Sequence, residues 1–188
     1  MKNFVIGVTG ASGAILAVKT IELLLSQPFE KTVLAVITEY GEQVFQHEAG
    51  RDFGTFAQEN VITVLNNKDM FAPIASGSFA VSAMIIVPCS MSTCGKIASG
   101  AGGNLLCRAA DVCLKEKNPL VLAVRESPLN LIHLKNLTAL CEAGAIIAPC
   151  VPAFYAGNQT IEQEAKNFAA RLLKSAGVDN SKYKIWGE

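Results

Sequence analysis

The sequence predicts an α/β fold: a mostly parallel β-sheet covered by helices on both faces. Three features point to it. Short runs that are apolar throughout alternate with amphipathic runs along the chain, glycines or hydroxyl residues mark the passages between them, and successive apolar runs are spaced as in βαβ units.

The elements follow in order. Residues 4–8 (FVIGV) form a buried strand, residues 9–13 (TGASG) a glycine turn, and residues 14–25 an amphipathic helix. Residues 32–38 (TVLAVIT) repeat the strand pattern, and residues 39–49 form a helix stopped by Gly50. From Arg51 to Ser78 the periodicity weakens, leaving a short strand at 61–65, an Asn66-Asn67 turn and a loop at 72–78 (APIASGS). Residues 83–88 (AMIIVP) are again a buried strand, after which Ser90, Ser92 and Thr93 supply hydroxyls where a helix begins. A loop at 100–103 (GAGG) leads to a helix at 104–117, and Asn118-Pro119 breaks it before the strand VLAV at 121–124. That strand stops at Arg125-Glu126, with Pro128 barring its continuation. A helix at 128–143, a strand at 144–148 and a Pro-rich bend at 149–155 follow, and Thr160-x-x-Gln163 is a capping box opening a last helix to Ser175. The whole reads as one domain of 188 residues with a polar tail from about residue 178, a three-layer sandwich of Rossmann-like or flavodoxin-like type.

Composition excludes some functions. Sixteen basic and 16 acidic residues cancel, so no overall field draws the chain to nucleic acid or an anionic bilayer, and any bound anion is held locally. Hydrophobic residues reach 51% while charged residues are 17%, below the roughly 25% usual for a soluble domain. No apolar run attains the roughly 18 residues of a membrane span, so the excess apolar surface is expected to lie between subunits of a homo-oligomer larger than a dimer. The cysteines at 89, 94, 107, 113, 141 and 150 lack C-x-x-C spacing and have only His47 and His133 to join them, so no metal site is expected. The opening MKNFVIGVTGASG runs straight into the strand pattern, which predicts a cytoplasmic chain with reduced thiols.

In parallel sheets ligands bind beyond the carboxyl ends of the strands. Residues 10–13, 38–41, 89–93, 125–127 and 149–155 should therefore converge, bringing hydroxyls, glycines, Arg125 and Glu126. Ser12 and the backbone N–H groups at the start of the first helix suit an anion or a polar ring edge, although a plain helix-starting turn reads the same way. Ser90, Ser92 and Thr93 are open to both a capping and a binding reading. Arg108 and Lys115 stand seven apart on one helix face with Asp111 between them, either a surface charge ladder or a basic lining. Neighbouring strand residues point to opposite faces, so Arg125 and Glu126 seek different partners, a phosphate for the one and proton transfer for the other. His133 reads as a packing or interface residue.

Taken together, VTGASG, SGSF at 76–79, PCSMST, NLLCRAADVCLKE, VRESPLNLIHLKN and PAFY resemble the flavin prenyltransferases of the UbiX type over nearly the whole chain. The resemblance implies an enzyme that takes reduced FMN and dimethylallyl phosphate and adds a prenyl-derived ring between N5 and C6. It also implies a dodecameric homo-oligomer and a UbiD-type decarboxylase that receives the prenylated FMN. The flavin contacts it implies are Gly10, Ala11, Ser12, Thr38, Ser90, Met91, Ser92, Thr93 and Arg125. Those to the prenyl phosphate fall on Arg108, Lys115, Arg125, Tyr155 and Arg171. Glu126 is the implied acid/base, with Ser12, Lys115 and Tyr155 also in the catalytic set, and Trp186 closes the site. The chain departs from the family pattern at Gly103, where Asp is expected, and at Ser127, where Thr is commoner. Its four Asp residues are scattered, so guanidinium and ammonium groups are expected to replace magnesium at the leaving phosphate. Two alternatives stand beside this reading: an FMN-dependent decarboxylase of the cysteine-decarboxylase group, and a non-catalytic subunit that stores FMN.

Overall fold

The computed structural model describes residues 1–157 and 159–180. Six strands, β1 (Lys2–Val8), β2 (Lys31–Ile37), β3 (Thr63–Leu65), β4 (Ala83–Cys89), β5 (Leu120–Val124) and β6 (Ile146–Ile147), form one sheet in the order β3-β2-β1-β4-β5-β6. Every neighbouring pair is parallel. This is the Rossmann-like order rather than the flavodoxin-like one, and its topological switch point lies between β1 and β4.

Alternating side chains divide the core between the two faces of the sheet. Phe4, Ile6 and Val8 pack with α1 (Ala14–Leu25), α2 (Glu39–Ala49), α3 (Phe53–Glu59) and α7 (Ile161–Ser175). Val5, Met84 and Ile86 pack on the other face with α4 (Met91–Ala98), α5 (Leu105–Lys115) and α6 (Leu131–Glu142). All residues of β4 and β5 are buried, as strands covered on both faces require, and each Val, Leu or Ile so buried contributes about 1.5–3 kcal/mol.

Several boundaries differ from those read in the sequence. Helix α3 replaces the patternless stretch after Arg51: Asp52 caps it through the Thr55 N–H, and Phe53 and Phe56 cluster with Phe45 at ring distances of 5.1 and 5.7 Å. A 3-10 turn at Pro73–Ala75 lies within the expected loop. Helix α6 begins at Leu131 because Asn130 is its cap, and the last strand shrinks to two residues. The Thr160–Gln163 capping box stands as expected.

All six cysteines are free thiols. No helix among the described residues is long and apolar enough to cross a membrane. Large apolar side chains nonetheless reach the surface, among them Ile132 at 69% exposure, Phe154 at 85% and the fully exposed Phe71.

Candidate active site

The crevice at the switch point is assembled from the carboxyl ends of β1, β2, β4 and β5. The turn after β1 enters α1 through Gly13, whose φ of +123° is a conformation that glycine adopts without strain. Gly10 is needed for a different reason: a Cβ there would stand 2.6 Å from the Cβ of Tyr40, so only glycine lets the turn pass under the start of α2. Thr38 caps α2 by accepting from the Gly41 N–H at 3.0 Å, and Ser90 caps α4 by accepting from the Thr93 N–H at 3.3 Å. The hydroxyls of Ser90 and Thr93 are 3.1 Å apart. Ser92 is exposed, whereas the Met91 side chain is buried in the core, so Met91 offers a ligand only its main chain.

At the end of β5, the Arg125 N–H donates to the Cys89 carbonyl at 3.2 Å and the side chain is exposed. Burial pushes the nearby Cys150 thiol up to about 12 against the pull of the Arg125 charge, so this sulfur stays protonated. Glu126 is exposed and accepts from the Ser127 N–H at 3.0 Å.

The sequence reading missed Glu48. Its Oε2 accepts from the Gly13 N–H at 2.8 Å and the Ala14 N–H at 2.7 Å, so the amides expected to be open to a ligand at the start of α1 are already taken by the chain's own carboxylate. Partial burial raises its proton affinity. The hydrogen bonds from Ser12, Ala14 and Gly13 and the charge of Arg125 outweigh that and hold the carboxyl below its ordinary value. Glu48 thereby gathers Ser12, the α1 N-terminus and the field of Arg125 around one negative charge. A signal did exist in the sequence, since an acid in the last turn of a helix opposes the helix dipole unless it has a partner elsewhere.

Tyr155 and Arg171 come together in a cavity of about 210 Å³ between β6 and α7, lined also by Ile147, Glu164 and Phe168. Glu164 secures the bend before Tyr155 by accepting from the Ala153 N–H at 3.1 Å. Val151, Glu164 and Phe168 line this cavity and a second concavity that reaches Ile15, Leu16 and Cys150, which carries it to the first turn of α1.

Arg108 and Lys115 are not part of that gathering. Arg108 donates from Nε to the Ala75 carbonyl at 3.0 Å and pairs with Asp111 at 2.7 Å. Lys115 pairs with Glu116, beside Gly77. Helix α5 ends just before β5 begins, at the amino edge of the sheet, whereas Arg125 follows the carboxyl end of that strand. The five-residue strand puts roughly 16 Å between the two ends. His133 is drawn into the cap of α6, its Nδ1 accepting from the Asn130 N–H at 3.4 Å. Trp186 lies outside the described residues.

The crevice fits a flavin on its own terms. A glycine floor that tolerates no Cβ, two hydroxyl-capped helix starts and an exposed guanidinium suit a flat polar ring with an anionic tail. No group of three or more His, Cys, Asp or Glu among the described residues is arranged to hold a metal ion.

Comparisons with known proteins agree with this geometry. Residues 1–167 match the Flavoprotein family. The flavin prenyltransferase UbiX of Alkalihalophilus pseudofirmus is 40% identical over 198 aligned positions, covering 100% of this chain and 97% of that protein. The crystal structure of AnUbiX (PadA1) in complex with FMN and dimethylallyl pyrophosphate superposes with a TM-score of 0.92 at 36% identity, covering 100% of this chain and 98% of that one. A dodecameric FMN-dependent UbiX-like decarboxylase from Escherichia coli O157:H7 gives 0.93 at 34% identity, covering 99% of this chain and 100% of that one.

Proposed function

The chain belongs to the Flavoprotein family and, within it, to the flavin prenyltransferases, and from that premise we propose that it joins the dimethylallyl group of dimethylallyl phosphate to N5 and C6 of reduced FMN. The observation that carries this reading is the adjacency of two receptors: the switch-point crevice and, through Val151, Glu164 and Phe168, the cavity that holds Tyr155 and Arg171. One is suited to a flat ring and the other to a small apolar group with an anionic end.

Gly10, Ala11, Ser12, Thr38, Ser90, Met91, Ser92, Thr93 and Arg125 hold the flavin in this reading, with Met91 contributing main chain. When bound, reduced FMN supplies the nucleophilic N5 and C6 centres. The chain does the rest. Arg171, the Tyr155 hydroxyl and Arg125 hold the phosphate and take up the charge that grows as the allylic C–O bond breaks, each charge-assisted contact worth about 1.5–3 kcal/mol. Ser12, already hydrogen-bonded to Glu48, stands beside a negative charge that favours the departure of a proton from the flavin. Glu126, exposed at the lip, protonates the departing phosphate or takes the C6 proton.

Arg108 is engaged by the Ala75 carbonyl and Asp111, and Lys115 lies at the opposite edge of the sheet from the crevice, so their contact with the phosphate is assigned to a neighbouring copy. The exposed apolar side chains of α6 and the bend at 151–154 favour such an assembly, and the 34%-identical relative is dodecameric. A dodecamer in the cytoplasm, passing prenylated FMN to a UbiD-type decarboxylase, completes the proposal.

The decisive experiment incubates the protein anaerobically with reduced FMN and dimethylallyl phosphate and weighs the flavin. A mass gain of one prenyl unit is expected. Bound but unaltered flavin would instead support storage.

A further inference from the structure

We propose that Thr9 is a positioning residue, whose hydroxyl sets the separation of the two loops between which the flavin lies. The inference rests on the flavin reading of the crevice and adds to it a group that touches no ligand.

The main-chain ladder between β1 and β4 runs from the Phe4–Ala83 pair to the Gly7–Ile86 pair. Beyond it the chains part, one rising into α1 on one face of the sheet and the other into α4 on the opposite face. That divergence is what opens a crevice at a switch point, and past the paired residues it thins the ladder that would fix the crevice's width to the main-chain bond between Thr9 and Pro88. Thr9 stands in the gap, 1% exposed. Its N–H reaches the Pro88 carbonyl at 3.3 Å. Its hydroxyl donates to the same carbonyl at 2.8 Å and accepts from the Ser90 N–H at 2.8 Å. Ser90 in turn caps α4 through Thr93. One side chain therefore links the turn at 10–13 to the hydroxyl-bearing start of α4, using the hydroxyl as donor and acceptor at once.

The main-chain bond from the Thr9 N–H to Pro88 survives a change of side chain, but the hydroxyl's bond to the Ser90 N–H does not. Valine has the same shape but neither bonding capacity, and it would leave the part-buried Ser90 N–H facing an apolar group. Serine keeps both hydrogen bonds and loses only a methyl.

The test compares Thr9→Val, Thr9→Ser and Ser90→Ala with the parent by FMN titration, visible circular dichroism of the bound flavin and turnover. Thr9→Val is expected to weaken FMN binding about tenfold or more and to alter the dichroism of the flavin, and Thr9→Ser to restore both. Because Thr9 acts through Ser90, Thr9→Val with Ser90→Ala should cost less than the product of the two single losses. A valine variant with parental affinity and spectrum, or strictly multiplicative losses, would overturn the proposal. If the valine variant does not fold, Thr9→Cys, a weak donor and acceptor of similar size, carries the same expectation. Amide exchange at Ser90 and Thr93 in the ligand-free chain separates this claim from the flavin reading. Faster exchange in the valine variant supports the clamp even if the parent binds no FMN, and unchanged exchange refutes it.

Discussion

At the junction of β1 and β4 the polar groups find partners in the same chain: Glu48 on the amides of Gly13 and Ala14, Thr9 on Pro88 and Ser90, and Ser90 on Thr93. On α5 the ion pairs of Arg108 and Lys115 are to carboxylates one to three residues away, half exposed, and Arg108 also donates to the Ala75 carbonyl. The first region is organised before any ligand arrives. The second carries its charge in surface pairs, which contribute little to stability. A preorganised receptor belongs to a fold, and cations held this loosely belong to an assembly.

The largest effects should come from the two glutamates. Glu48→Gln keeps the size of the side chain but removes its charge, and Glu126→Gln removes a proton carrier. Each is expected to slow prenylation by roughly 10²–10⁴ while FMN stays bound. Single-turnover rates and a flavin titration measure the two quantities separately. Full activity in Glu126→Gln would remove that residue from the mechanism, and lost flavin binding in Glu48→Gln would make it a structural anchor alone.

Next in size is the division of the phosphate contacts. Arg171→Ala and Lys115→Ala should each raise the KM for dimethylallyl phosphate by about 10–150-fold with the FMN affinity unchanged. Oligomers assembled from the two variants together sharpen the comparison. If Lys115 serves a neighbour, some mixed sites contain both intact residues and turnover partly returns. If both residues served one chain, no site would be whole and nothing would return.

What the sequence revealed follows the same division. The glycine turn, the Ser90 cap and the strand stopping at Arg125 are local signals, each legible because a few consecutive residues settle it. Glu48 meets Gly13 across 35 positions, and no periodicity records where the last turn of α2 will lie. Helix α3 was invisible because seven residues are too few for a helical repeat, and what holds it is the three-way contact of Phe45, Phe53 and Phe56. Arg108 and Lys115 were correctly placed on one helix, yet which end of the sheet that helix would reach depends on a topology that spacing does not encode.

A smaller effect separates the charge of Glu48 from its geometry. Because its folded carboxyl titrates below the ordinary value of 4.5, its contribution to stability is fully present above that value and is lost as pH falls through the folded pKa. Thermal unfolding followed from pH 7 down to pH 3 should show a shallower acid limb in Glu48→Gln than in the parent. Parallel limbs would mean that the carboxylate stabilises the start of α1 no better than an amide does.

The smallest effect expected is none. An allylic phosphate needs positive charge as it leaves, and where magnesium supplies that charge the protein must supply clustered carboxylates. Here the aspartates have other employment: Asp52 caps α3 and Asp111 holds Arg108. The cavity proposed for the phosphate presents Arg171 and Tyr155, with one carboxylate, Glu164, engaged by the Ala153 N–H. One carboxylate beside a guanidinium is a poor magnesium site but a serviceable anion site. Turnover in EDTA should therefore equal turnover in magnesium. A rate that collapses in EDTA and recovers with magnesium would transfer the leaving-group charge from the arginines to a metal, and with it the reason for assigning α5 of a neighbouring copy to the site.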